Sequence, residues 1–150
     1  MENTNFQKIE ISEIDEVARL DKLCIGDTKD YMIYNTIYRN ETEAWVLRYG
    51  KKLVGYILFG HSPEWKQSNY MFIYRTSVHP KYRRRGYGRY MREHVLKVAI
   101  DRGHTLICSG IKADNTAMLN LTKSMGFVEY DTECESYLKN NILLMCRELE

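Results

Sequence analysis

Residues 81–92, KYRRRGYGRYMR, gather five arginines and one lysine without an acid, and set Gly86 and Gly88 one residue apart. Guanidinium groups with closely spaced glycines suit a compact anion of the phosphate type. Glycine removes the Cβ that would hold a phosphate away from the backbone, or permits positive φ. Arg83, Arg84, Arg85 and Arg89 ring the turn with charge. Two familiar phosphate cradles do not fit. A P-loop needs Gly-Lys-Ser/Thr, and here Gly88 is followed by Arg89-Tyr90. A dinucleotide fingerprint needs a third glycine or alanine where Met91 stands, and it normally opens the first βα unit. What is left is Arg-x-x-Gly-x-Gly, Arg83 to Gly88, preceded by Val78-His79-Pro80.

Other chemistry-bearing residues are scattered. Asn115 stands where a helix is expected to begin, as its N-cap. His79 reads as an exposed loop residue and His61 as a structural residue after a strand. Cys108 reads as a small core residue. Cys24, Cys108, Cys134 and Cys146 form no CxxC pair, so free thiols are expected and a metal site is not.

The elements that must hold the turn follow from periodicity. FQKIEI, residues 6–11, reads as a first strand, and Ser12 as the cap of a helix with Asp15 three residues on. A second helical stretch, rich in tyrosine, covers about Thr28 to Tyr38. AWVLRY and LVGYILF, joined by Gly50-Lys51-Lys52, read as a β-hairpin. YMFIYRTSV, residues 70–78, is a long strand. From Gly86 the period becomes helical, with Tyr87, Met91, Val95 and Val98 on one side. TLICSGI is a strand, Asn115 opens another helix, Gly126 ends it, and FVEY and ILLMCREL close the chain. The fold class expected is α/β of mixed type, a central mostly antiparallel sheet with helices on both faces. The basic turn then lies between the end of a central strand and a helix N-terminus, where unpaired N–H groups and the positive end of the helix dipole meet an anion.

Charge narrows the partner. The chain has 22 basic and 20 acidic residues, and outside residues 81–92 the balance is net −4. A protein that tracks a nucleic-acid backbone spreads its positive charge over a face, so no nucleic-acid partner is expected. With 150 residues, one domain spanning 1–150 is expected. MENTNFQKIEIS has no signal-peptide core and no apolar run reaches membrane-spanning length, so no membrane partner and a cytoplasmic location are expected.

SVHPKYRRRGYGRYM, residues 77–91, resembles the signature of the GCN5-related N-acetyltransferase (GNAT) family, a strand ending in Val-x-Pro and then Gln/Arg-x-x-Gly-x-Gly/Ala opening a helix. ADNTAMLNLTKSMGF resembles the family's Asn-x-x-Ala, helix and Gly-Phe block, so the two motifs cover roughly residues 70–130. The resemblance implies direct acetyl transfer from acetyl-coenzyme A, as co-substrate, to an amine on a small molecule or peptide, with no metal, by a monomer or homodimer. It implies that Thr76, Ser77 and Val78 offer backbone groups to the pantetheine and the thioester. Residues Arg83, Arg84, Arg85, Gly86, Tyr87, Gly88 and Arg89 would hold the pyrophosphate, through main-chain N–H groups from Arg84 onward, and Asn115 would lie near the acyl centre. The acceptor side falls near Tyr31, Tyr34, Tyr38 and His61.

The sequence departs from the family at two places. The tyrosine that commonly follows the Asn by seven residues, as acid for the departing thiolate, is Thr122 here. The glutamate some members carry on the preceding strand is Gly110 here. Tyr137, His61 and Glu64 are the candidate replacements, and Tyr137 is the catalytic candidate set beside Asn115. A catalytically weak or inactive coenzyme A-binding regulatory module is the alternative reading.

Overall fold

The computed structural model describes residues 3–25, 42–61 and 69–149. Its strands are β1 (Thr4–Lys8), β2 (Thr42–Tyr49), β3 (Lys52–His61), β4 (Tyr70–Val78), β5 (Leu106–Lys112), β6 (Val128–Tyr130) and β7 (Ile142–Glu148). Its helices are α1 (Ile14–Ile25), α2 (Tyr87–Asp101), α3 (Thr116–Ser124) and α4 (Glu135–Lys139). The strands form one sheet in the order β1-β2-β3-β4-β5-β7-β6, antiparallel throughout except for the central β4/β5 pair.

Alternation along the strands decides which helix covers which face. Leu47, Ile57, Phe59, Met71, Ile73, Ile107, Ile111 and Met145 turn to one face and meet Met91, Val95 and Ala99 of α2 and Leu119 of α3. Val46, Tyr56 and Leu58 turn to the other and meet Val17, Ala18 and Leu20 of α1. Farther along that second face, Cys108 and Cys146 pair directly across β5/β7, with Tyr137 of α4 packed nearby. The mixed sheet with helices on both faces is therefore as the sequence predicts.

Local structure corrects three sequence readings. The first strand occupies residues 4–8 rather than 6–11, because Glu10 leaves the sheet to begin a turn at Ile11–Glu13, where its N–H donates to Glu13 Oε1 at 3.0 Å. Ser12 consequently lies inside that turn and is not the cap. A short helix, α4, lies between β6 and β7 where the sequence showed no period long enough to read. The β2/β3 hairpin is as expected, with Tyr49 opposite Lys52 and Gly50 at φ +59°. The tyrosine-rich stretch 28–38 lies outside the described residues. Among the described residues, no helix is long and apolar enough to cross a membrane.

Candidate functional site

β4 and β5 pair only from Tyr70 opposite Leu106 to Ile73 opposite Ser109. Beyond that point β4 runs on to Val78 held by β3 alone, and β5 runs on to Lys112 held by β7 alone. The cause is local: the β3/β4 register slips between Leu58 and Phe59, leaving Tyr74 as a bulged residue directly after the last paired rung. A bulge bends and twists its strand, so β4 turns away from β5 and a wedge-shaped gap opens at the centre of the sheet. At its apex the Ser109 hydroxyl donates to Ile73 O at 3.3 Å.

The ladder phase tells which groups line this gap. His79 N–H donates to Val54 O at 2.7 Å. Antiparallel alternation then turns the main-chain groups of Ser77 toward β3, and those of Thr76 and Val78 into the gap. Of the three strand-end residues the sequence singled out, Thr76 and Val78 turn main-chain groups into the gap, where Val78 O accepts from Arg83 Nε, and Ser77 is buried. An extended, amide-bearing molecule laid here would continue the sheet as an extra strand.

The basic turn closes the mouth of the gap. Arg84 and Gly86 both adopt positive φ, +66° and +83°, and Gly86 caps α2 without any side chain. The first helical turn carries N–H groups with no intrahelical acceptor, and the twist at Arg84 and Gly86 turns neighbouring amides inward. Among the described residues, no main-chain N–H from Gly86 to Arg89 donates in the loop and cap hydrogen bonds of the backbone. At Gly88 a Cβ would meet only Leu121 Cδ2 at 3.6 Å and Val78 Cγ2 at 3.9 Å. The protein has room for a side chain there, so packing does not require the glycine.

The arginine side chains are largely engaged elsewhere. Arg83 Nε donates to Val78 O at 3.0 Å, Arg85 lies over the Tyr82 ring at 5.1 Å, and Arg89 bonds to Ser124 Oγ. With those side chains engaged, the turn still presents the main-chain amides of its first helical residues.

Cys24 of α1 also reaches the mouth, its thiol 3.5 Å from Val78 O. Burial raises its pKa against the opposing pull of Arg83, which keeps it a neutral thiol. His79 is structural: its Nδ1 accepts from Lys81 N at 3.2 Å, and burial with Lys52, Lys81 and Arg83 nearby holds its imidazole below the usual range. Cys108 is buried, and a hydrogen bond with Cys146 together with burial raises its pKa, as befits a core thiol.

Asn115 caps α3, its side chain accepting from Met118 N at 3.2 Å. Thr122 is wholly buried and its hydroxyl donates to Met118 O at 2.7 Å, so it fills space and serves no chemistry. Gly110 is more informative. A Cβ there would lie 2.5 Å from the Tyr137 hydroxyl and 2.8 Å from Cζ. The phenol of Tyr137 thus occupies the volume a glutamate side chain at 110 would fill, one residue past the apex. Glycine at 110 and tyrosine at 137 are one steric unit. Restoring a glutamate by Gly110→Glu is expected to displace the ring; loss of the Tyr137 ring contacts in the NMR spectrum checks this.

Tyr31, Tyr34, Tyr38 and Glu64 lie outside the described residues. His61 ends β3 opposite Met71, and its side chain is not among those described.

Two features escaped the sequence reading. Arg92 appeared there only as one more positive charge, yet it is almost fully buried on α2 and its Nη1 donates to Thr76 Oγ1 at 3.0 Å. Its spacing of four from Gly88 and three from Val95 was the available signal. Asp21 of α1 is 1% exposed and holds Arg75, next to the bulge, through two bonds of 2.7 and 2.8 Å as well as the Tyr56 hydroxyl.

Known proteins share this fold. Ard1 from Thermoplasma volcanium superposes with a TM-score of 0.82 at 16% identity, covering 99% of each chain. The ribosomal-protein-S18-alanine N-acetyltransferase from Escherichia coli gives 0.81 at 16% identity, covering 98% of this chain and 94% of its own. The PaiA N-acetyltransferase from Thermoplasma acidophilum, solved in complex with coenzyme A, gives 0.77 at 14% identity, covering 97% and 99%. At such identities these likenesses speak for the fold alone, and no curated protein sequence matches significantly. The family model described as Acetyltransferase (GNAT) family matches residues 11–127, which take in the bulged strand, the amide-lined turn and the Asn115 helix. The chain with the split sheet and the glycine-spaced turn belongs to the GNAT acetyltransferase family.

Proposed function

We propose that this chain transfers an acetyl group from acetyl-coenzyme A to a primary amine, by direct attack within a ternary complex. The observation that carries the reading is the gap between β4 and β5 ending in an amide-lined turn whose Gly88 has unused room. In this reading the turn from Arg84 to Arg89 binds the diphosphate, and Thr76 and Val78 pair with the pantetheine amides. The thioester then lies near the apex, beside Asn115 and Tyr137. The neutral amine bonds to the thioester carbon, whose π electrons move to oxygen. The adduct collapses with the C–S electron pair leaving on sulfur, sulfur takes a proton, and the nitrogen loses one.

Tyr137 is the proposed relay for that proton. Its phenol passes one to sulfur and recovers one from nitrogen, replacing the family tyrosine that Thr122 lacks. A free thiol ordinarily titrates at about 8.5, whereas a lysine-type amine near 10.4 must first be deprotonated. Turnover is therefore expected to rise with pH through the neutral range. Acceptors in view are small amines and peptide amines. Support for the peptide class comes from neighbours of this fold, such as the Arabidopsis thaliana Naa50 solved with a bisubstrate analogue carrying the peptide MVNAL.

The test is release of free coenzyme A from acetyl-coenzyme A against a panel of amines and peptides. Tyr137→Phe is expected to lower kcat about 10²-fold or more while leaving coenzyme affinity within about threefold. Binding without turnover on every acceptor would favour the coenzyme-binding module instead.

A further inference from the structure

Arg92 is the strangest charge in the molecule. Its residue exposure is 2%, its Nε and Nη2 have no hydrogen-bond partner, and among the described residues no carboxylate pairs with it. Burial alone lowers its pKa to about 10, so it remains a cation at neutral pH. A buried cation without an acid opposes folding, and a methionine or leucine would fill the same space at less cost. Such a charge is retained when something negative arrives after folding.

Its place says what that is. Arg92 lies on α2, on the side of the helix shared with Gly88, and holds Thr76, whose main-chain groups face the gap. Extending the β4/β5 register past Ile73 and Ser109, with Tyr74 bulged out of the count, brings Thr76 level with Ile111, one residue beyond Gly110, where the Tyr137 hydroxyl stands. Arg92 approaches from the α2 face of the sheet and Tyr137 from the α4 face. The two therefore flank the gap just past its apex. The other charged or titratable groups near the gap are Asp21 and Arg75, paired with each other on the α1 face of β4, Cys24 and Arg83 at the mouth, and Glu93 and Arg89 on the outer side of α2.

We propose that Arg92 is a positioning and electrostatic residue that stabilises negative charge on the coenzyme's sulfur, through its unneutralised field and through Thr76. This rests on the acyl-coenzyme reading above. During transfer, charge gathers first on the thioester oxygen and then on the sulfur that departs with the C–S pair. A fixed cation in a dry interior lowers the energy of both stages without any proton changing hands. It thereby eases the departure of the sulfur that the Tyr137 phenol then protonates.

The experiment needs no knowledge of the acceptor. The thiol of coenzyme A bound to the protein is titrated by thiolate absorbance, with the desulfo-coenzyme complex as blank for protein groups. In the parent the bound thiol is expected to titrate about one pH unit or more below its ordinary value of ~8.5. In Arg92→Met and Arg92→Gln it is expected to return to that value, and Arg92→Lys is expected to keep most of the depression. An equal thiol titration in parent and neutral variants overturns the proposal while leaving the acyl-coenzyme reading intact. If neither neutral variant folds, Arg92 is a structural residue and the proposal falls. A parent chain that binds no coenzyme A in calorimetry overturns the reading beneath it instead.

Discussion

Gly88→Glu yields a folded chain whose affinity for acetyl-coenzyme A is at least about 100-fold weaker, a loss of roughly 2.7 kcal/mol or more. Folding survives because the position has room: a Cβ meets Leu121 and Val78 at ordinary contact distances of 3.6 and 3.9 Å. It is also a helical position, where glycine itself costs up to about 1 kcal/mol relative to alanine. Binding is lost for two separate reasons. The side chain occupies the space through which a diphosphate reaches the N–H groups, and its carboxylate cancels the field of the helix terminus. Gly88→Ala separates the two. It is expected to leave stability unchanged or a few tenths of a kcal/mol higher while weakening the coenzyme about tenfold through contact alone. Calorimetry with acetyl-coenzyme A, alongside urea denaturation of each variant, measures both quantities. Full affinity in Gly88→Glu would mean the diphosphate lies elsewhere.

That result depends on a turn the sequence displayed openly. Gly86, Gly88 and the arginine run are contiguous, so a local reading finds them, and the two αL residues at 84 and 86 express what such spacing permits. Alternation in β3 and β4 likewise revealed the central strands and the sheet class. The wedge between β4 and β5 was a different matter. It arises from a single slipped rung at Tyr74 and from where the parallel pairing stops, and neither leaves a mark in residue types. Tyr137 was named as a candidate, but its relation to Gly110 spans 27 positions and runs through α4, a helix of five residues that is too short for periodicity to reveal. Arg92 was hidden in the opposite way. It stood inside the most obvious charge cluster, and only burial separates it from arginines that face water. Asp21 gave no signal at all, because one acid within a helix reads as part of its solvated face until α1 is laid on the sheet.

Asp21 carries the second large effect. Asp21→Ala is expected to lower unfolding stability by about 3 kcal/mol, because it removes the buried acid of a charged network and takes the partner from the buried Tyr56 hydroxyl. The carboxylate is 1% exposed and accepts two bonds from Arg75 Nη1, at 2.8 and 2.7 Å, together with one from the Tyr56 hydroxyl. Tyr56 is fully buried, so its hydroxyl loses a partner that no water can replace without rearrangement. Arg75 keeps partial access to solvent, with 18% of its side chain exposed, which limits the cost on its side. A loss of this size is a large share of the roughly 5–15 kcal/mol typical of a domain. Asp21→Asn, which keeps the shape and part of the hydrogen bonding, is expected to lose about half as much. Function follows by position: Arg75 lies between the bulged Tyr74 and the gap-facing Thr76, so the Asp21–Arg75 pair ties α1 to the segment of β4 that sets the apex. Coenzyme affinity is therefore expected to fall with stability in Asp21→Ala, whereas Gly88→Glu lowers affinity alone. Urea midpoints and calorimetric Kd values on the two variants together check this contrast. An Asp21→Ala chain within about 1 kcal/mol of the parent would show that the network adds shape without adding strength, and that the bulge is held by the β3 ladder by itself.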